Sequence, residues 1–168
     1  MRSGDQLANR YVLKEVIGAG RGGDVWLAHD TVVGQDVALK PERTDGEGET
    51  AVRRLLGEPR AMAKFRGHPH VVTLLDVVSD PLDGSRVRDG NRVQDRAAGK
   101  GFWFVMEYVP GGGLDARAPV SPTRAARIGA QLADALDALH TAGIVHCDVK
   151  PANTPSPRGR TPPRKPTA

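Results

Sequence analysis

Residues 146–153 read His-Cys-Asp-Val-Lys-Pro-Ala-Asn and follow a strongly helical pattern. Within six residues this stretch offers a carboxylate at Asp148, an ammonium at Lys150 and an amide at Asn153. A base, a phosphate-binding cation and a neutral metal ligand are the groups that in-line transfer of a phosphoryl group to a hydroxyl requires. The stretch therefore predicts phosphoryl transfer; the alternative is an ordinary polar loop.

A glycine cluster lies far upstream. Residues 18–25 read Gly-Ala-Gly-Arg-Gly-Gly-Asp-Val, with the spacing G-x-G-x-x-G-x-V. Glycines at this spacing let the backbone turn sharply and bring its N–H groups against phosphate oxygens, where a Cβ atom would collide. The cluster alone also fits a glycine-rich hairpin turn, or a dinucleotide-binding fingerprint with Asp36 as the ribose carboxylate. That fingerprint needs the glycines to open a helix, whereas the residues after them resemble a strand.

Lys40 ends a short apolar strand, 17 positions after Gly23. A lysine at a strand end is usually solvated, but beside a glycine hairpin it is able to reach nucleotide phosphates as a point charge. Such a lysine needs a carboxylate partner to hold it. Glu58, in the helical pattern that follows, is the natural candidate, with Glu47 and Glu49 as weaker substitutes.

Hydrophobic patterning predicts a run of strands followed by helices. Strands are expected over residues 11–17, 25–28, 36–40, 71–78 and 102–109, with Pro41 stopping the third. Three- and four-residue spacing predicts a helix over 52–65, kinked or started late by Pro59. A second helix is predicted over 121–142, capped by Ser121 and ended by Gly143. The polar residues 80–100 predict a mobile loop.

Taken in chain order, these motifs resemble the amino-terminal half of a protein kinase, of the eukaryotic-type serine/threonine kinases of bacteria, over about residues 11–153. The resemblance implies an α+β fold, with a kinase-like small lobe (a twisted antiparallel sheet plus one helix) and an incomplete helical large lobe. The resemblance implies an N-terminal arm over 1–10 and the small lobe with its hinge over 11–110. The start of the large lobe, through the catalytic loop, would span 111–153, and a disordered Pro/Arg-rich tail would span 154–168.

The resemblance also implies ATP and Mg²⁺ as cofactors and a protein serine or threonine as the phosphoryl acceptor. Lys40 would contact the α- and β-phosphates and pair with Glu58, and Met106 would be the gatekeeper beside the adenine. The backbone of the hinge would bind the adenine edge. The full set of implied nucleotide contacts is Gly18, Ala19, Gly20, Gly23, Val25, Ala38, Lys40, Glu58, Met106, Glu107 and Val109.

Within residues 146–153 the resemblance implies three roles. Asp148 would be the catalytic aspartate, Lys150 would steady the γ-phosphate, and Asn153 would be a metal ligand. Cys147 stands where the family normally has an arginine that reads a phosphorylated activation loop, so we expect that control to be absent.

After Asn153 the family expects an apolar strand and then Asp-Phe-Gly, whose aspartate is the main magnesium ligand, but a Pro/Arg-rich run follows. We therefore expect a truncated chain with transfer slowed by orders of magnitude, since metal charge stabilisation supplies several kcal/mol. The alternative function is a catalytically dead kinase fragment that acts as a nucleotide-binding or protein-interaction module, in which the apolar stripe over 128–139 would be partly exposed.

Composition limits the remaining classes. The 168 residues are 39% hydrophobic and carry a net charge of +4, which excludes a collagen-like or wholly disordered chain. Four of the 24 basic residues and none of the 20 acidic ones lie in 154–168, so the first 153 residues are neutral. A specific nucleic-acid partner is therefore not expected. One cysteine, with no signal peptide and no apolar membrane span, predicts a reducing, cytoplasmic setting.

Overall fold

The computed structural model describes residues 1–20, 23–43, 57–79, 101–116 and 119–155. The chain divides into two compact units. The sheet unit comprises Met1–Arg66 and Thr73–Tyr108, and the helical unit comprises Gly67–Val72 and Val109–Ala168. The predicted loop over 80–100, the first part of the predicted helix over 52–65 and most of the predicted tail lie outside the described residues.

The sheet unit holds one antiparallel sheet of six strands in the order β1-β2-β3-β4-β6-β5. The strands are β1 Gln6–Leu7, β2 Tyr11–Gly20, β3 Gly23–Asp30, β4 Gln35–Arg43, β5 Leu74–Ser79 and β6 Gly101–Glu107. Helix α1, Gly57–Ala63, belongs to the same unit and has Pro59 in its first turn, where a missing N–H costs little. The predicted antiparallel sheet with one helix is confirmed for the described residues.

The core of the sheet unit lies on one face of the sheet. Side chains alternate between the two faces along each strand, and residues paired across antiparallel strands share a face. Leu39 pairs with Val105 on β6 and with Trp26 on β3, which places all three on the core face. The buried cluster on this face consists of Leu7, Tyr11, Leu13, Ala28, Val37, Leu39, Trp103 and Val105.

The prediction that Pro41 ends the third strand is wrong, because β4 continues through Pro41 to its end at Arg43. Pairing with β3 stops at Leu39, so beyond that residue β4 pairs only with β6, where Pro41 lies opposite Trp103. A strand with one unpaired side tolerates a residue that lacks an N–H donor. At the start of β3, Gly23 has φ +118°, and a Cβ atom there would lie 2.8 Å from Cγ of Pro41.

A polar network ties the N-terminal arm to the sheet. Asp30 is only 2% exposed and accepts two hydrogen bonds from the Arg10 guanidinium, at 2.9 and 2.7 Å. Asp30 also accepts hydrogen bonds from the N–H groups of Val32 and Val33 in the β3–β4 turn. The hydrogen bond from Arg10 first, and those from the two N–H groups after it, lower the pKa of Asp30. Burial, together with the negative charge of nearby Asp76, raises the pKa of Tyr11 to about 12.

The helical unit is built around α2, Pro122–Thr141. Ser121 caps it by accepting the Arg124 N–H at 3.4 Å, and Gly143 follows its end with φ +75°, so the predicted helix is confirmed. Only Ile128 and Ala135 of this helix are buried. Neither helix in the described ranges combines the length and the apolar character that crossing a bilayer would require.

Candidate functional site

Four of the residues predicted to contact the adenine and phosphates lie on the face of the sheet opposite the core: Val25, Ala38, Lys40 and Met106. Ala38 pairs with Met106 and with Leu27, and Lys40 pairs with Phe104, so these side chains share one face. Val25 precedes Leu27 by two positions on β3 and therefore points to the same side. The Lys40 ammonium lies 5.9 Å from the centroid of the Phe104 ring. The sheet therefore brings an apolar surface and one cation together.

The glycine cluster forms a hairpin between β2 and β3. Gly18 pairs with Val25, Ala19 with Asp24, and Gly20 with Gly23, while residues 21 and 22 lie outside the described ranges. Both sides of the hairpin are strands, so these glycines do not open a helix. The dinucleotide fingerprint is thereby excluded, and Asp36, its supposed ribose carboxylate, instead binds Lys14 at 2.6 Å and His29 at 3.0 Å.

Lys40 forms an ion pair with Glu42, two positions further along β4. The sequence analysis did not predict Glu42 as a partner of Lys40. The available signal was an acidic residue two positions after Lys40, because residues at i and i+2 of a strand share a face. Glu58 lies inside α1, but the structure does not describe its side chain, so the Lys40–Glu58 ion pair stays a prediction. Glu47 and Glu49 also lie outside the described residues.

The predicted hinge begins where β6 ends. The N–H of Glu107 donates to the carbonyl of Thr73 at 2.9 Å, and the Glu107 carboxylate accepts the Thr73 N–H at 3.3 Å. This doubly bonded pair holds the end of β6 in place. Val109 belongs to the helical unit and is half-buried.

Residues 146–153 form a compact polar cluster in the helical unit. The Asp148 carboxylate binds the Lys150 ammonium at 2.9 Å and accepts the Asn153 amide at 2.9 Å. The same amide donates to the Asp148 carbonyl, also at 2.9 Å, and the Asp148 N–H donates to Nδ1 of His146 at 3.3 Å. The three predicted residues are therefore brought into direct contact.

The electrostatics of this cluster keep Asp148 ionised. Its hydrogen bonds from Lys150 first, and from Asn153 second, lower the pKa of Asp148 below its ordinary value. Cys147 has φ +60°, a left-handed conformation that a residue with a Cβ atom rarely adopts. The chain is thus bent sharply at the position that precedes the carboxylate.

The end of this segment is held by contacts that the sequence did not reveal. Leu114 N–H donates to the Thr154 carbonyl at 3.1 Å, and Gly113 pairs with Pro155. A Cβ atom on Gly113 would lie 2.6 Å from the Ala152 carbonyl oxygen, so only glycine permits this approach. The first two residues of the predicted disordered tail, Thr154 and Pro155, therefore make ordered contacts; a run of three glycines at 111–113 was the available signal.

The order and geometry of these motifs agree with the match between this chain and known proteins. The protein kinase domain matches residues 11–154, which is most of the chain. The chain belongs to the protein kinase family. The resemblance read from residues 146–153 and 18–25 is confirmed.

Three relatives show which protein kinases this chain is similar to. It is 35% identical over 151 residues to a probable serine/threonine-protein kinase of Corynebacterium efficiens, covering 88% of this chain and 21% of that protein. It is 32% identical over 153 residues to serine/threonine-protein kinase PksC of Streptomyces coelicolor, covering 86% and 25%. It is 31% identical over 157 residues to serine/threonine-protein kinase PknB of Mycobacterium tuberculosis, covering 91% of this chain and 23% of that protein. The chain thus spans about a fifth to a quarter of these relatives' length.

Protein kinases generally use ATP and Mg²⁺, and this kinase-family chain offers one suitable metal ligand. The Asn153 amide nitrogen is committed to Asp148, which leaves Oδ1 as the oxygen that a hard cation prefers. Mg²⁺ in phosphoryl-transfer sites is held by one or two carboxylates together with the substrate phosphates and water, so the Asn153 amide would supply one ligand among several. The described residues contain no group of three His, Cys, Asp or Glu side chains able to form a separate metal site.

Proposed function

We propose that this chain binds ATP with Mg²⁺ and transfers the γ-phosphoryl group to a serine or threonine hydroxyl of a protein in the cytoplasm. The observation that carries this proposal is the Asp148 carboxylate, bound by both Lys150 and Asn153, within a segment of kinase-family sequence.

ATP would bind through the sheet unit. Val25, Ala38 and Met106 offer an apolar surface to the adenine ring, and the backbone of Glu107 and Val109 offers hydrogen bonds to its edge. The glycine hairpin would cover the phosphates with backbone N–H groups, which reach closest where no Cβ atom intervenes. Lys40 would contribute a positive charge to the α- and β-phosphates.

The transfer step would use Asp148 as a base. Its carboxylate accepts a hydrogen bond from the acceptor hydroxyl and takes the proton as the bond from the hydroxyl oxygen to the γ-phosphorus forms. The bond from the γ-phosphorus to the bridging oxygen breaks, and ADP leaves with that oxygen. Because the pKa of Asp148 is lowered, its carboxylate is ionised when it orients the hydroxyl. It would take the proton only after the new bond to phosphorus is largely formed.

Lys150 and Asn153 would support this step from the same segment. The Lys150 ammonium, which contacts Asp148 at 2.9 Å, would also neutralise charge on the γ-phosphate. Asn153 would bind Mg²⁺ through Oδ1 while its amide nitrogen keeps Asp148 oriented. Bound Mg²⁺ supplies charge stabilisation of the phosphates.

The experiment is transfer of labelled phosphate from [γ-³²P]ATP to casein by the full chain. Asp148→Asn removes the base and should lower the rate about 100- to 10,000-fold. Asp137→Asn is the matched control, because Asp137 is an exposed carboxylate on α2 that the mechanism does not use. Equal rates for the parent chain and Asp148→Asn would contradict the proposal.

A second candidate function is nucleotide binding without transfer, as a kinase fragment that acts as a binding module. The sheet unit favours it, because the residues proposed to contact ATP rest on a buried core of that unit's own. ATP binding by the parent chain and by Asp148→Asn with equal affinity, together with no measurable transfer, would select this function.

A further inference from the structure

Lys40 and Glu42 form an ion pair on the face of β4 that carries the proposed nucleotide contacts. Along β6 the two residues lie opposite Phe104 and Phe102, which confirms that both point to the same side. The side chains are 35% and 23% exposed, so each is partly shielded from water. The carboxylate of Glu42 therefore lies where phosphate oxygens would approach Lys40.

The backbone between the two charges is constrained. Pro41, the residue between them, has its φ angle fixed by its ring and is buried. The Lys40 ammonium also lies over the Phe104 ring, 5.9 Å from the centroid. Because the strand and its neighbours fix the backbone and Phe104 borders the lysine, the two side chains are held in reach of one another.

We propose that Glu42 competes with ATP phosphates for the Lys40 ammonium and so lowers the affinity of the chain for nucleotides that carry phosphates. This rests on the proposed function, since it takes Lys40 as a phosphate contact. Phosphates that approach the Lys40 ammonium must share its positive charge with the Glu42 carboxylate, and a carboxylate two residues away repels phosphates directly. Glu42 is thus a positioning residue that holds Lys40 before nucleotide binds and releases it afterwards.

The test is calorimetric titration of the full chain with ATP and, separately, with adenosine, at fixed Mg²⁺ and ionic strength. Glu42→Gln keeps the size of the side chain and removes its charge, so ATP should bind about two- to fivefold more tightly, the range of a partly exposed ion pair. Adenosine, which has no phosphates, should bind equally to the parent chain and to Glu42→Gln. A merely structural effect of the substitution would change both ligands.

Two further variants isolate the cause. Asp137→Asn removes an equal charge from an exposed site on α2 and should leave ATP affinity unchanged. In a Lys40→Met background, Glu42→Gln should give a smaller gain than in the parent chain, because there is no ammonium to release.

The outcomes separate the inference from the function on which it rests. Unchanged or weaker ATP binding by Glu42→Gln, in a parent chain that binds ATP through Lys40, overturns the competition and leaves the proposed function standing. An equal gain for ATP and adenosine overturns it as well. A parent chain that binds neither ligand, or binds ATP equally well with Lys40→Met, overturns the proposed function and the inference together.

Discussion

The sheet unit and the helical unit hold their proposed site residues by different means. Of the buried hydrophobic side chains in the described ranges, all but Ile128 and Ala135 belong to the sheet unit. The helical unit instead contains a cleft of about 390 Å³ bordered by half-buried side chains such as Val71 and Leu132. Ala38 and Met106 therefore rest on close-packed apolar residues, whereas Asp148 and Lys150 are held by polar contacts.

The difference predicts how the proposed site residues of each unit respond to substitution. Asp148 and Lys150 are 62% and 50% exposed, so substituting them should alter the chemistry and hardly change the free energy of unfolding. On the sheet, a substitution on the core face should disturb the proposed nucleotide contacts on the opposite face, because both sets of side chains belong to the same strands. The two tryptophans, Trp26 and Trp103, both lie in the sheet unit, so their fluorescence reports on that unit.

The largest effect should come from the core face of the sheet. Leu39 is fully buried, and Leu39→Ala should lower the free energy of unfolding by about 3 to 5 kcal/mol through lost transfer energy and the cavity left behind. Leu132→Ala, the same change on half-buried α2, should cost about 1 kcal/mol. Urea titrations followed by tryptophan fluorescence and by circular dichroism measure both. Equal losses for the two variants would erase the distinction between the units.

Next in size is the response of the sheet unit to alkali. The pKa of Tyr11 is raised to about 12, from an ordinary value near 10, chiefly by burial. A raised pKa stabilises the folded chain fully below pH 10, and this contribution is lost as the pH rises through 12. Stability should fall by roughly 3 kcal/mol across that window for this group alone.

Tyr11→Phe cannot ionise at position 11, so its unfolding free energy should fall less steeply between pH 10 and pH 12. Tyr108→Phe changes the other tyrosine, keeps Tyr11 and should keep the steep fall of the parent chain. Urea midpoints measured at half-unit pH steps give the slopes. Parallel slopes for Tyr11→Phe and the parent chain would show that Tyr11 is not the source.

A smaller effect is expected from the polar network of the sheet unit. Asp30→Asn removes the charge that binds Arg10 at 2.7 and 2.9 Å but keeps an oxygen for the turn N–H groups. The loss should be about 2 kcal/mol, as for a charged hydrogen bond on a buried group. Asp36→Asn, which affects an exposed ion pair with Lys14, should cost less than about 1 kcal/mol. Thermal unfolding of the two variants and the parent chain measures both losses. A cost for Asp36→Asn equal to that of Asp30→Asn would show that burial of the pair is irrelevant.

The smallest effect should lie in the helical unit. Ser121→Ala removes the side-chain oxygen that accepts the Arg124 N–H and should destabilise α2 by about 1 kcal/mol. Ser121→Asp keeps an acceptor at the cap and should restore the helix. Hydrogen exchange of the first α2 amides measures both, and faster exchange in Ser121→Asp than in Ser121→Ala would contradict the capping role.

Signals that act over a few residues were sufficient to predict much of this structure. Ser121 and Gly143 marked the ends of α2 because a cap and a left-handed residue act within one turn of the helix. The polar cluster of residues 146–153 was likewise predictable, since Asp148, Lys150 and Asn153 are close in sequence and meet through local bonds.

Features that depend on pairing between distant residues were not predictable in this way. Whether Pro41 ends a strand depends on where β3 stops, which the residues around Pro41 do not encode. The strand predicted over 71–78 starts only at Leu74, and the strand predicted over 102–109 ends at Glu107. Thr73 and Glu107 hydrogen-bond to one another at this end of the sheet, which the residues around each of them do not encode. The roles assigned to the nucleotide contacts remain predictions.

The close approach between Gly23 and Pro41 couples the choice of residue at these two positions. A methyl group at position 23 would lie 2.8 Å from the proline ring, so any side chain there is barred while the proline remains. The positive φ of Gly23 adds a second barrier that only a backbone change removes. A library that varies position 23 while Pro41 is kept should therefore return glycine, and replacement of Pro41 removes only the first of the two barriers.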